Sequence, residues 1–237
     1  MKADPKHLMD ALTAVDWAGN VRSFCKDSTA VQQVANLNLK LAIWSKQFEA
    51  IESTNPAICF VREMQVSGHL VASSTALASY KLAAAAMRTT LETALYYSYF
   101  RTHERELATL VRSDKWYMSK AEIIEYHVTH TIGFNDVQKC YPCVALLNPW
   151  YSKISAIVHG QLPGKWLSQQ SISDMKPNLD LQALVVETFS ECIEIVHRLF
   201  LVTVGRELWQ TFSPAAKKAL IHGLSGDVKS ALGLDSA

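Results

Sequence analysis

The amino-acid sequence predicts an all-α protein, a helical bundle with two long antiparallel helices and additional short helices. Hydrophobic residues recur at helical spacing along almost the whole chain, and no segment shows the strict alternation of a β-strand. Only 9 glycines and 7 prolines interrupt the 237 residues, and residues 57–103 contain no proline. Alanine and leucine, which both favour helix, are abundant.

The expected helices follow one another through short connections. They cover residues 5–24, 28–52, 57–103, 104–113, 119–128, 134–142, 147–159 and 178–211, followed by two short helices near the C-terminus. The segment 57–103 is expected to be one long helix, or two helices joined near its only glycine, Gly68. Residues 160–177 are the least regular part of the chain and are predicted to form an ordered loop or lid.

Several of these helices begin at residues that typically cap a helix N-terminus. Asp27 or Ser28 can cap the second helix. The segment SKAE starts the helix after Ser119 with a capping-box pattern. Ser213, followed by Pro214, begins the first C-terminal helix. We therefore divide the chain into an N-terminal helical extension (1–54), a main bundle (55–211) and C-terminal short helices (212–237).

Composition excludes several classes of protein. A formal net charge of +1 gives no overall electrostatic attraction to duplex DNA. Five cysteines at scattered spacings do not indicate a disulfide framework. The N-terminus lacks the apolar segment of a signal peptide, and no apolar run approaches the roughly 20 residues that span a bilayer. We expect a cytoplasmic protein with no membrane contact.

His159 ends the helix predicted over 147–159, in the segment YSKISAIVHG. At about 100° per residue, Ser152, Ser155 and His159 fall on one helical face. A histidine in the last turn, where the helix dipole favours the imidazolium, can transfer protons near neutral pH. The alternative interpretation is a histidine that only ends the helix, with Gly160 as C-cap.

A second polar stripe lies on the long central helix. Arg88, Glu92, Tyr96, Tyr99 and His103 advance by three or four residues and stay near one line. Arg88 and Glu92 are spaced to form an ion pair. That pair either fixes helix packing or holds the guanidinium for a phosphate.

A metal site is a third possibility. His127, His130, Cys140 and Cys143 form H-x2-H followed by C-x2-C, and zinc binds these ligand types. A single C-x2-C is a weak signal, so two helix histidines and two buried cysteines are the competing interpretation. The glycine-rich phosphate loop, the serine-hydrolase elbow and H-E-x-x-H are all absent, which excludes those enzyme classes.

The R-x3-E motif on a long helix, followed downstream by YSKISAIVHG, resembles the HEPN superfamily of helical-bundle proteins. It is most similar to bacterial members whose second motif reads as serine, three residues and His-Gly. The resemblance covers about residues 55–210. It implies a four-helix core, often dimeric. It also implies metal-independent endoribonuclease activity, without a cofactor or metal, in toxin–antitoxin or phage-defence systems, and cleavage that leaves a 2′,3′-cyclic phosphate.

The sequence departs from the HEPN signature, in which an arginine precedes the histidine by four to six residues. Lys153 stands six residues before His159. We therefore expect Arg88 to supply the guanidinium, Glu92 to orient it and His159 to act as general acid and base. Ser155 would be a hydrogen-bonding neighbour, and Lys153 would assist from a second subunit.

Two functions follow from these expectations. In the first, the protein forms a homodimer, cleaves RNA and has an antitoxin or a defence-system protein as its partner. In the second, a non-catalytic HEPN-like bundle binds a nucleotide or a protein, and the polar cluster serves only to specify the packing of the core.

Overall fold

Helices account for every regular element in residues 3–167 and 169–234, which are the residues that the computed structural model describes; no strand occurs among them. The helices are α1 (Pro5–Thr13), α2 (Trp17–Lys26), α3 (Ser28–Ile51), α4 (Ile58–Ala76), α5 (Tyr80–Phe100), α6 (Glu104–Arg112), α7 (Lys120–His130), α8 (Phe134–Cys140), α9 (Val144–Val158), α10 (Leu179–Val202), α11 (Val204–Leu208), α12 (Pro214–Leu220) and α13 (Gly226–Leu232). Short 3-10 turns lie at Ile172–Asp174 and Trp209–Thr211. None of the described helices has both the length and the apolar character to span a membrane.

The predicted N-terminal caps are confirmed. The Asp27 side chain accepts a hydrogen bond from the Ala30 N–H at 3.0 Å and starts α3. Ser119 and Glu122 form the reciprocal capping box of α7. The Ser213 side chain caps α12. The helix predicted over 5–24 is instead two helices, because Asp16 caps a new start by accepting from the Gly19 N–H at 2.7 Å.

The helix expected over 57–103 is broken. The break lies at Ala78, ten residues after Gly68, where a joint between two helices was expected. α4 ends at Ala76, and Ala78 adopts the left-handed conformation with φ of 60°. The Ala78 N–H donates to the Thr75 carbonyl and the Ser79 N–H donates to the Ser74 carbonyl, at 3.0 and 2.8 Å. These two bonds form the Schellman motif that usually places a glycine where Ala78 stands.

Gly68 serves helix packing and does not form a kink. It is buried within α4, facing α3. A Cβ added to it would lie 2.6 Å from Leu41 Cδ1 and 2.8 Å from Asn38 Oδ1. The glycine therefore allows the two helix backbones to approach closely.

The break between α4 and α5 changes the predicted orientation of the long helices. α4 and α5 form an antiparallel hairpin, in which Phe60 contacts both Tyr96 and Phe100. α5 and α10 start together, where the Tyr80 hydroxyl bonds the Asn178 backbone, and Tyr97 meets Phe200 near their C-terminal ends. α5 and α10 therefore run in the same direction, so the antiparallel arrangement predicted for the two long helices is not found in this pair.

The helix predicted over 178–211 also breaks, at Thr203. The backbone of Thr203 is not helical, and its hydroxyl donates to the Leu199 carbonyl at 2.6 Å. A Cβ on Gly205 would lie 2.7 Å from both the Phe200 carbonyl oxygen and the Trp44 ring. The chain bends here because α11 passes directly over Trp44.

A continuous hydrophobic core joins α3, α4, α5 and α10. Its centre is an aromatic group in which Trp44 and Phe48 contact Phe200 and Phe212. α3 thus shares its core with helices of the predicted main bundle, and the division at residues 54 and 211 remains a prediction about domains. α9 packs on α5 and α10, anchored where the Trp150 indole donates to the Thr188 carbonyl at 3.1 Å.

Candidate functional site

His159 lies at the C-terminal end of α9. It is the C-cap residue, and its N–H donates to the Ser155 carbonyl at 2.9 Å. Gly160 follows with φ of 72°, and the N–H groups of Gly160 and Gln161 donate to the carbonyls of Ile157 and Ala156. This Schellman motif confirms Gly160 as the residue that ends the helix and leaves the His159 side chain exposed.

The structure brings the two predicted polar stripes into contact. Arg88 on α5 meets His159, 71 residues away in sequence, with 2.5 Å between Nη1 and the imidazole Nε2. The Arg88 Nε donates to Glu92 Oε1 at 2.9 Å. We refer to Arg88, Glu92, Tyr151 and His159 as the Arg88 cluster.

The contact between Arg88 and His159 makes the imidazole a hydrogen-bond acceptor. A guanidinium carries only N–H donors, so Nε2 must accept the hydrogen bond through its lone pair. Nε2 is therefore the hydrogen-bond acceptor of the imidazole in this arrangement. The nitrogen that faces Arg88 is the one able to take up a proton.

Tyr151 is a member of the cluster that the sequence analysis did not identify. Its hydroxyl donates to Glu92 Oε1 at 2.6 Å and accepts from Arg88 Nη2 at 3.1 Å. Burial raises the pKa of Tyr151, and the hydrogen bond to Glu92 raises it further. Tyr151 therefore stays protonated and braces the carboxylate against the guanidinium. Its position on α9, four residues before Ser155 and eight before His159, was a usable signal.

Arg88 and Glu92 are partly shielded from solvent, with side chains 22% and 33% exposed. Burial alone would lower the pKa of Arg88, but the hydrogen bond and negative charge of Glu92 outweigh it and the pKa is raised. The guanidinium is thus held as a cation in a fixed orientation. Such a group can stabilise the charge of a phosphate.

Ser155 and Lys153 do not join the cluster through their side chains. The Ser155 Oγ is buried and has no hydrogen-bond partner among the described residues. The Lys153 ammonium lies 3.9 Å from the Glu191 carboxylate on α10. Because Lys153 is six residues before His159, it projects from a different side of α9 and points towards α10. Within one subunit, Lys153 is therefore not placed to assist Arg88 and His159.

The lower part of the α5 stripe forms a separate aromatic group. Tyr99 stacks on His103, with 4.0 Å between ring centroids, and both rings contact Tyr126 on α7. Tyr96 packs on Phe60 instead. The five residues of the predicted stripe thus divide among three locations, and only Arg88 and Glu92 belong to the cluster.

The four residues considered for zinc are not arranged around one point. Both ring nitrogens of His127 are engaged, with the hydroxyls of Ser98 and Thr131 at 2.9 and 2.8 Å. The Cys143 thiol is buried and contacts the Ile195 carbonyl oxygen at 3.8 Å. Within residues 3–167 and 169–234, no three histidine, cysteine or acidic side chains are placed to share a metal ion.

Residues 160–177 form the irregular segment that the sequence predicts, interrupted only by the Ile172–Asp174 turn in its described part. Trp166 is buried, with φ of 60°. The segment also contacts α2, where the Asn20 side chain reaches the Met175 carbonyl at 3.4 Å. Its motion as a lid remains a prediction.

Comparison with known proteins gives no relative. No family model matches the chain, and no curated protein or solved structure is significantly similar to it. The geometry of the Arg88 cluster and the resemblance of the two motifs are therefore the grounds for a function.

Proposed function

We propose that the protein is a HEPN-like, metal-independent endoribonuclease that acts in the cytoplasm as an effector of a toxin–antitoxin or phage-defence system. The observation that supports this most is the direct contact between Arg88 and His159. It pairs a cation suited to a phosphate with a base suited to a hydroxyl proton. The guanidinium that HEPN proteins carry beside their histidine would come from α5 here.

The contact between Arg88 and His159 in the protein without RNA suggests how the two side chains would be prepared for the reaction. The Nη1 group of Arg88 donates a hydrogen bond to the lone pair on Nε2 of His159. A phosphate that binds Nη1 and Nη2 replaces this contact and frees Nε2. Glu92 keeps hold of Nε, so the guanidinium stays in place while it changes partners.

In the reaction, one proton then passes from the 2′-hydroxyl to the 5′-oxygen in two transfers, both through His159. Nε2 of His159 takes the proton of the RNA 2′-hydroxyl, and the 2′-oxygen forms a bond to phosphorus. Arg88 stabilises the charge on the non-bridging oxygens. The bond from phosphorus to the 5′-oxygen breaks, and the imidazolium returns the proton to that oxygen. The products are a 2′,3′-cyclic phosphate and a 5′-hydroxyl.

A homodimer and a protein antitoxin or defence partner belong to this proposal through the HEPN resemblance. Ser155 would be a neighbour of the site on α9, where its buried hydroxyl has no hydrogen-bond partner among the described residues. Lys153, half exposed beside Glu191, could contribute only to a second copy.

The second candidate is a non-catalytic HEPN-like bundle that binds a nucleotide or a protein partner. One observation favours it: Arg88 donates through Nε, Nη1 and Nη2 to partners within the chain. A network that is satisfied in this way can serve solely to fix the packing of α9 on α5.

Cleavage of a mixed RNA pool in EDTA tests the proposal. Wild type should cut and leave cyclic phosphate ends, and His159→Ala should be slower by about 100-fold or more, because general acid–base catalysis is lost. His222→Ala removes another exposed histidine and should cut like wild type.

The same three proteins separate the two candidates. Unchanged unfolding free energy with lost cutting supports the enzyme. Uncut RNA, together with a His159→Ala protein that is less stable by about 1 kcal/mol or more, supports the structural network.

A further inference from the structure

Lys120 lies beside the Arg88 cluster although it is on a different helix. It is the first residue of α7, and its Nζ is 5.2 Å from the centre of the Tyr151 ring. The Cζ of Arg88 is 5.3 Å from the same ring centre. The two cations are therefore neighbours around one tyrosine, separated by no more than the sum of these distances.

The ammonium of Lys120 has no acidic partner. It donates to the Asn148 Oδ1 at 2.5 Å, and no carboxylate among the described residues lies within ion-pair distance of it. The side chain is half buried, and this burial lowers its pKa. The carboxylate of the nearby Glu122 is engaged in capping α7 at Ser119. A half-buried cation without a counter-ion favours binding of an anion.

A third cation lies on the other side of the site. Lys81 is two turns before Arg88 on α5, and its Nζ would be 3.8 Å from a Cβ placed on Gly160, next to His159. It also has no ion pair with the described residues. Arg88, Lys81 and Lys120 with Glu92 carry two excess positive charges, whereas the whole chain carries a formal net charge of +1.

We propose that Lys120 and Lys81 are substrate-binding residues that hold the phosphates neighbouring the scissile phosphate of single-stranded RNA. This inference rests on the proposed ribonuclease function. A mononucleotide offers its charge at one place, whereas a strand offers several phosphates, which three separate cations can bind together. These side chains would contact the backbone alone, so the binding would depend little on base sequence.

Binding of an RNA that cannot be cut gives the first test. The probe is a 2′-O-methyl uridine oligonucleotide of about twelve nucleotides, labelled with fluorescein, titrated with full-length protein at several salt concentrations. Each phosphate contact contributes about 0.7 to the slope of log K against log salt for a single strand. Lys120→Met should reduce the slope by about 0.7 and weaken binding about fivefold to tenfold at moderate salt.

Two further variants make the test specific. Asn148→Asp places a carboxylate where Oδ1 accepts from Lys120, on an exposed residue, and should reduce the slope as Lys120→Met does. Lys217→Met is the matched control. Lys217 is also half buried and lies over an aromatic ring, 5.9 Å from the centre of Trp209, but it is on α12, which packs on α3. It should leave the slope unchanged.

Cleavage provides the second test and separates this inference from the proposed function. Lys120→Met should slow cutting of a uridine oligonucleotide several-fold and should slow cutting of UpU, which has only one phosphate, by a smaller factor. If Lys120→Met reduces the salt slope of binding but no protein cuts RNA, the proposed binding site is retained and the proposed ribonuclease function is rejected. Cutting by wild type with the same slope for Lys120→Met and wild type would reject the role of Lys120. Absence of RNA binding, or preference for an acidic peptide, would overturn the inference as well.

Discussion

His197 should make the stability of the fold depend on pH. It is 4% exposed and lies on α10 against α3. Its Nδ1 accepts a hydrogen bond from the Trp44 indole at 3.2 Å, and the ring also bonds the Leu220 backbone. Burial lowers the pKa of His197 to about 3. A proton on Nδ1 would face the Trp44 N–H, so the folded state strongly favours the neutral ring.

The size of the effect follows from linkage. An unfolded histidine has a pKa of about 6.5, so the unfolded state binds the proton first as pH falls. The folded pKa of His197 is lowered, which means that stability is fully present above about pH 6.5 and is lost progressively below it. Between about pH 7.5 and pH 5, this one residue should cost about 2 kcal/mol of unfolding free energy.

Urea unfolding of wild type and His197→Asn at both pH values measures this contribution. The asparagine amide oxygen can still accept from Trp44, so the variant is expected to fold with lower stability. It should lose about 2 kcal/mol less than wild type on acidification. His127, whose burial lowers its pKa to about 4, titrates in both proteins and cancels from the comparison. His69→Asn, at an exposed histidine, is the control and should behave like wild type. Equal losses for wild type and His197→Asn would refute the reasoning.

Two further predictions concern ion pairs. Glu52→Gln should destabilise the fold by about 3 kcal/mol, because Arg101 is only 7% exposed and loses its main partner, at 2.6 Å. Glu207→Gln removes a 63% exposed partner of the same arginine and should cost only about 0.5 kcal/mol; similar urea midpoints for the two variants would contradict this ranking. Glu92→Gln should slow RNA cleavage about tenfold while RNA binding is kept, because Arg88 is less well oriented. Equal loss of binding and cleavage would show that Glu92 does not act by orientation.

The parts of the fold that local chemistry determines could be predicted from the sequence. Asp27, Ser119 and Ser213 cap the helices that they were expected to cap, because each cap is a hydrogen bond between residues close in sequence. Gly160 ends α9 for the same reason. The all-α class follows from periodicity, which reports the buried face of each helix.

The breaks inside the predicted long helices could not be found in this way. The α4–α5 turn carries Ala78 in a conformation that usually requires glycine, so the sequence contains no signal there. The bend at Thr203 depends on how Gly205 passes over Trp44, which is a long-range contact. Missing the first break also reversed the expected direction of α5 relative to α10.

The candidate site divides in a similar way. Arg88, Glu92 and His159 could be selected from the sequence because they lie on polar stripes, the first two on α5 and the third at the end of α9. Tyr151 lies eight residues before His159, close to the same helical face, and was within reach of the same argument. Lys120 approaches Tyr151 only through the packing of α7, so nothing in its local sequence distinguishes it from other lysines.

The most direct test of the central claim, that Arg88 and His159 act together on a phosphodiester, is a double-mutant comparison of RNA cleavage in EDTA. Arg88→Ala and His159→Ala should each slow cleavage by about 100-fold or more, and the double variant should be no slower than the slower single variant, because the two residues form one unit. Losses that multiply in the double variant would contradict joint action. RNA left uncut by wild type, or cut at the wild-type rate by His159→Ala, would contradict the claim altogether.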